Sequence, residues 1–284
     1  MKRIIIAIAT IFLTIPASAQ AQIDTKKVKI SDFTQKVTKV VLNGNAFFDT
    51  TFQEEIAARW RISPYEFCTL EDFEALKDND NYYFLMTTYG QFRKETAPGL
   101  QFLTLVKGGK GADKGIGSML EIVSIPFASA EYPSGRELVF LPAFLDIIQK
   151  HALMSMEKDT DGYIGLSNNS MNIAKAKNME FVFSEDDLSS EITREFRDLN
   201  FDSDMVITDE DSADDCMLEN EPNTLVSYVV TPTDAQPGSF CYKMLINTET
   251  HELYYFRRHR ITKKLGPGFL AEDIKRINSY RGRK

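Results

Sequence analysis

Glu157-Lys158-Asp159-Thr160-Asp161-Gly162-Tyr163-Ile164 sets acids at alternate positions ahead of a glycine and an isoleucine, the order that opens an EF-hand calcium loop. Carboxylates at the first, third and fifth loop positions can converge on a hard cation because the glycine permits a sharp turn and the isoleucine packs behind it. Glu157, Asp159 and Asp161 are therefore the candidate calcium ligands. The first position is glutamate where aspartate is usual, and Asn168 stands where a bidentate glutamate normally closes the site. Calcium held there would be bound weakly, and the competing reading is a solvated acidic linker.

A second cluster is cationic. From Arg257 to Lys284 ten Lys or Arg stand against Glu272 and Asp273 alone, so a chain of net charge -8 carries a basic tail on an acidic body. Arg257, Arg258, Arg260, Lys263 and Lys264 are its densest part and the candidate contacts for an anionic surface polymer, a lipid headgroup or an acidic partner. The competing expectation is internal, with the acidic stretch from Asp198 to Glu221 facing the tail. Nucleic acid is not expected of an acidic chain that lacks any recognised binding motif.

Other groups point to no reaction. The run from Lys107 to Gly117 is glycine-rich, but a P-loop needs Gly-Lys-Ser/Thr opening a helix, and this run joins two strands, so it reads as a mobile hairpin tip. His151, His251 and His259 have no neighbours at metal-ligand spacing, and Gly-x-Ser-x-Gly, His-Glu-x-x-His and Cys-x-x-Cys are all absent. Acid pairs such as Asp209 with Asp211, or Asp214 with Asp215, sit in a charge run and read as a solvated face. Aromatic clusters such as Tyr82-Tyr83-Phe84 and Tyr254-Tyr255-Phe256 read as core, with sugar or peptide stacking as the alternative. Of the three cysteines, Cys216 and Cys241 are open to two readings, a disulfide or buried thiols. No catalytic residue is assigned.

The elements that must position these groups repeat. A pattern from about Val37 to Met156 returns from about Met179 onward. Strand segments Lys39–Leu42 and Met179–Phe183 each precede an apolar stripe, Phe52, Ile56 and Trp60 in one copy and Leu188, Ile192 and Phe196 in the other, with the same i, i+4, i+8 helical spacing. Thr51 to Glu54 reads as a capping box and Asp187 as an acidic cap. A short strand follows in each copy, at Tyr65–Thr69 and Asp204–Thr208. Next come a short helix, at Leu70–Leu76 and in acidic Asp209–Leu218, and a β-prone run, at Tyr82–Thr87 and Thr224–Val229. Pro98-Gly99 and Pro237-Gly238 introduce hairpins whose strands are Phe102–Val106 with Leu120–Ile125, and Cys241–Ile246 with Leu253–Phe256. Pro142-Ala143-Phe144-Leu145 and Pro267-Gly268-Phe269-Leu270 read as helix starts.

At the N-terminus, Lys2 and Arg3 precede apolar Ile4 to Ile15 and then Ala17-Ser18-Ala19, a signal-peptide pattern with cleavage expected near Ala19. The run is too short for the ~20 apolar residues of a membrane span. With 43% hydrophobic and 26% charged residues the remainder has a globular composition. The expected organisation is a signal peptide over 1–19, an N-terminal segment over 20–35, a first α/β repeat over 36–156, a linker over 157–178 and a second repeat with the basic tail over 179–284.

The element order resembles the small α/β domain of the TolB amino-terminal and CsgG-like envelope families. Asn247-Thr248-Glu249-Thr250-His251-Glu252 is similar to their Asp-x-x-Thr-Gly-Glu turn, with His251 in place of the glycine. The resemblance implies a role class only, docking onto other envelope proteins, and brings no catalytic residues. The expectation is therefore an α/β (α+β) protein of two tandem similar domains, each a twisted mixed sheet with helices mainly on one face. Its expected role is a non-catalytic periplasmic or secreted interaction or accessory protein. Its partners would be an envelope protein or anionic surface polymer, met through an inter-domain groove of approximate two-fold symmetry, an exposed strand edge or the basic tail. The rival is a cell-envelope hydrolase or carbohydrate-binding protein using acids and aromatics in that groove.

Overall fold

The structure is a computed structural model and describes residues 30–92, 95–157 and 165–283. Two five-stranded mixed sheets repeat one topology. The first has the order β2(Tyr65–Cys68), β1(Val37–Val41), β3(Tyr82–Gly90), β4(Leu100–Lys107), β5(Leu120–Ser129). The second has β7(Met205–Thr208), β6(Glu180–Ser184), β8(Thr224–Val230), β9(Phe240–Asn247), β10(Leu253–Arg260). In each, the leading three strands are parallel and the last two join antiparallel. Registers match as well, since Thr38 lies opposite Tyr65 as Phe181 lies opposite Met205.

Helix α1(Ala46–Arg59) buries Phe48, Phe52 and Ile56 on one face of the first sheet, and Trp60 closes its C-terminal end with the indole N–H on Ser63 at 2.9 Å. Each such apolar side chain contributes about 2 kcal/mol by leaving water. α4(Leu141–Glu157) packs beside it, while α2(Leu70–Leu76) covers the opposite face against Val41, Phe84 and Met86. In the second half α5(Arg194–Asn200) and α7(Ala271–Tyr280) share the face lined by Phe181, Phe183 and Leu225, and α6(Glu210–Leu218) takes the other. Each sheet thus carries its larger helical cover on one face.

The halves stack like face to unlike face. The α4 side of the first sheet meets the α6 side of the second, so one apolar cluster runs from Phe52 and Phe144 through to Tyr228 and Met244. Phe140 lies 4.5 Å and Phe144 5.2 Å from the Tyr228 ring, and the Tyr228 hydroxyl donates to the Phe127 carbonyl at 2.7 Å. The expected groove of approximate two-fold symmetry is corrected by this packing, because a two-fold axis would set like faces together.

Other local expectations also change. α1 begins five residues before Thr51, with Asn45 accepting the amides of Phe47 and Phe48, and Thr51 instead donates to the Phe47 carbonyl. The stripe Leu188, Ile192 and Phe196 is not one helix. Leu188 bridges Phe269, Ile192 lies in a turn, and only Phe196 is helical, in α5 capped by Thr193. Backbone pairing of Ser189 and Asp187 with Phe269 holds the segment extended. In α2 Phe73 is buried and Leu70 exposed, and Thr69 with Asp72 forms the capping box. Pro267 lies ahead of α7, whose first turn is closed by the Asp273 carboxylate accepting the Leu270 N–H at 2.9 Å. The glycine-rich tip folds back onto the α2–β3 turn, with Gly109 N–H on the Lys77 carbonyl and Ala112 fully buried.

The three cysteines are free thiols. Among the described residues no helix is long and apolar enough to cross a membrane.

Gly268 has φ +93°, and a Cβ there would also meet the Ser189 nitrogen at 2.7 Å and the Asp187 oxygen at 2.8 Å. Gly268→Ala is expected to cost roughly 2 kcal/mol in urea unfolding. Gly266→Ala, with nothing within 4 Å, is expected to be near neutral.

Candidate functional site

In open α/β sheets ligands collect beyond the carboxyl ends of the parallel strands, where successive crossovers diverge. In the second half that position is filled from within the protein. Gly135 turns the chain into α3(Arg136–Val139), and the Arg136 side chain, 6% exposed, enters the second half between the β6 and α6 ends. Its Nε donates to Asp214 at 2.8 Å, one terminal nitrogen to Asp187 at 3.2 Å, and the other to the Ser227 carbonyl at 3.2 Å. Glu210 stands at 3.5 Å, and the guanidinium lies over the rings of Tyr228 and Phe140. Ser227 completes the site by donating to Asp187 at 2.6 Å while accepting the Ser184 amide.

Three carboxylates share one cation in a largely dry site. Burial raises the protonation range of Asp187, Glu210 and Asp214, opposed in each case by Arg136, and Asp214 is pushed up to about 6. Arg136 stays protonated, since the surrounding carboxylates outweigh its own desolvation. Converging, perturbed carboxylates are the pattern expected of an acid–base centre. Here the cation that holds them together occupies the space a substrate would need.

In the first half the corresponding loop closes on itself. Asp49 accepts the amides of Asn43 and Gly44 at 3.0 and 2.9 Å, and Asn43 in turn accepts the Asn45 amide. A second buried ionic group, Asp273 with Lys243, Tyr255 and Arg257, ties α7 to β9 and β10. Lys243 and Asp273 are both fully buried, and the carboxyl of Asp273 lies below its usual range because Lys243, Tyr255 and the Leu270 amide outweigh its burial.

Of the candidate calcium ligands, Glu157 ends α4 in an exposed position, whereas Asp159 and Asp161 lie outside the described residues. Among the described residues no group of three or more His, Cys, Asp or Glu side chains gathers as a metal site. Asn168 lies in the 3-10 segment Gly165–Lys175 and lines a pocket of about 170 Å3 with Lys150, His151, Asn172 and Lys175.

The basic candidates separate. Arg257 turns inward to Glu272 and Asp273 at 3.1 and 3.0 Å. Arg258, Arg260, Lys263 and Lys264 are exposed. Farther along the tail, Arg281 is buried over the Phe181 ring and pairs with Asp202 and Asp204, which Arg283 also engages. That part of the tail meets the acidic stretch internally.

Edges separate too. The outer edge of β10 is covered by the 3-10 segment, where Ser170 accepts the Phe256 N–H at 3.0 Å and donates to its carbonyl at 2.8 Å, and Asn172 donates to the Leu253 carbonyl. On β5 the second half engages the Phe127 carbonyl through the Tyr228 hydroxyl. Among the described residues β2 and β7 have a neighbouring strand on one side only. Because the Pro64 and Cys68 carbonyls accept from β1, alternation turns the N–H and C=O of Tyr65 and Phe67 outward. Phe67 is 37% exposed, whereas Met205, facing outward from β7, is buried. No family model, curated protein or solved structure matches the chain.

The sign of the Asp214 shift fixes a pH dependence. Its folded protonation range lies above the ordinary 3.8, so its contribution favours folding at low pH and is lost as pH rises through about 6. Asp214→Asn, which mimics the protonated acid, is expected to raise the melting temperature at pH 7.5 and leave it unchanged near pH 4.

Proposed function

We propose that this is a non-catalytic exported interaction or accessory protein that docks onto another component of the cell envelope by accepting an extended segment at β2. The observation that carries this reading is the outward-facing backbone of Tyr65 and Phe67 on a short strand with no outer neighbouring strand among the described residues. Strand addition draws its affinity from main-chain hydrogen bonds and needs little from side chains, which suits a chain without a catalytic motif. Exposed Phe67, with Tyr65 5.6 Å away ring to ring, offers an apolar contact to a residue of the added strand.

Export rests on the leader pattern from Lys2 to Ala19, and the envelope role on the resemblance of each repeat to the TolB amino-terminal and CsgG-like domains. The hydrolase alternative loses support because the carboxylates of Asp187, Glu210 and Asp214 surround Arg136 rather than an open cleft.

Phe67→Pro removes one outward N–H while leaving the β1 ladder intact, and proline is tolerated at such edges. A photo-crosslinking aromatic residue in place of Tyr65 is expected to capture a discrete partner in the native envelope. Phe67→Pro should reduce that capture at least tenfold, and Ile207→Pro, which removes the corresponding outward N–H on β7, should not. Equal capture in all three proteins, or none in the parent, would contradict the reading.

A further inference from the structure

Arg258 and Arg260 differ from the rest of the basic tail in sharing one aromatic ring as a common brace. They lie at alternate positions on one face of β10, and each guanidinium rests over the ring of Phe240, 5.0 and 5.2 Å from its centroid. Phe240 is packed edge-on against Phe92 at 4.7 Å, so the ring is fixed by both halves of the molecule. Arg258 also reaches the Tyr242 hydroxyl at 3.5 Å. Among the described residues neither arginine pairs with a carboxylate, nor does Lys263 or Lys264 in the turn that follows. Glu95 and Glu121 act on neighbouring Tyr242, but Glu95 is engaged with the Phe92 amide.

On a chain of net charge -8, these four cations within seven residues, without a counter-ion among the described residues, contrast with Arg257, Arg281 and Arg283, which are paired internally. Stacking on an aromatic face leaves the in-plane N–H donors of a guanidinium free and limits its rotamers, which lowers the ordering cost of binding. A carboxylate has two oxygens and satisfies one arginine fork. Two forks side by side, flanked by two ammonium groups, match an anion with more acceptor oxygens and more charge.

We propose that Arg258 and Arg260, braced on Phe240 and flanked by Lys263 and Lys264, form a binding site for a phosphate-bearing anion. The site is remote in sequence from β2 and stands or falls separately from the docking reading. Arg257 is not part of it, because its side chain serves the Asp273 group on the opposite face.

The test uses the full chain in two assays at low salt. One is co-sedimentation with phosphatidylcholine vesicles with and without phosphatidylglycerol, and the other is calorimetric titration with inorganic phosphate. Binding is expected in at least one, and R258Q/R260Q is expected to weaken it at least tenfold. K275Q/R276Q, an equal loss of charge on α7, should change it less than twofold. Association with the phosphatidylglycerol vesicles that millimolar phosphate does not displace identifies a lipid headgroup, and phosphate binding without vesicle association identifies a soluble ligand. F240L keeps every charge, removes the brace and should weaken binding several-fold, which supplies a readout if the double arginine variant does not fold. Absence of binding in both assays, or equal loss in R258Q/R260Q and K275Q/R276Q, would overturn the proposal.

Discussion

Arg136 is the residue on which the arrangement of the two halves depends. A guanidinium taken out of water is stable only where carboxylates and carbonyls meet its donors, and the second half supplies Asp187, Asp214 and the Ser227 carbonyl. Asp187 follows the end of β6, Asp214 lies in the middle of α6 and Ser227 in the middle of β8, so the first half is held to the part of the second where these polar groups converge. Around this contact the rings of Phe140, Phe144 and Tyr228 close the apolar seam. The ionic part sets where the halves meet, and the apolar part supplies most of the stabilisation.

The packing also decides what remains available for binding. Stacking unlike faces engages the Phe127 carbonyl of β5, and the segment Gly165–Lys175 folds over β10. Two copies of one topology therefore finish differently. Among the described residues the first half retains an open edge at β2, and the second carries the unpaired arginines of β10. Repeats that begin alike acquire separate surfaces because each meets a different neighbour.

The succession of strands and helices along the chain, the hairpins and the repeat were legible in the sequence because they rest on local signals: β-branched and aromatic runs, and Pro-Gly pairs ahead of each hairpin. Burial of Trp60, Tyr83 and Tyr255 followed from the same patterns. The helix expected over Leu188 to Phe196 failed because apolar spacing cannot report a competing long-range partner, here the backbone of Phe269. His251 takes φ +55°, in the left-handed region, and its ring reaches Asp146 at 2.6 Å, a contact across 105 residues with no local mark. Arg136 was missed for the same reason, since a lone arginine before a helix is ordinary until its acidic partners are brought together in space. The tail could be counted as basic, but which arginines were already paired depended on Asp202, Asp204 and Asp273.

The central claim is that the two repeats form one cooperative body around Arg136. Scanning calorimetry of residues 30–284 tests it most directly. A single transition with equal calorimetric and van't Hoff enthalpies is predicted. Two resolved transitions, each carrying the enthalpy of one repeat, would contradict it.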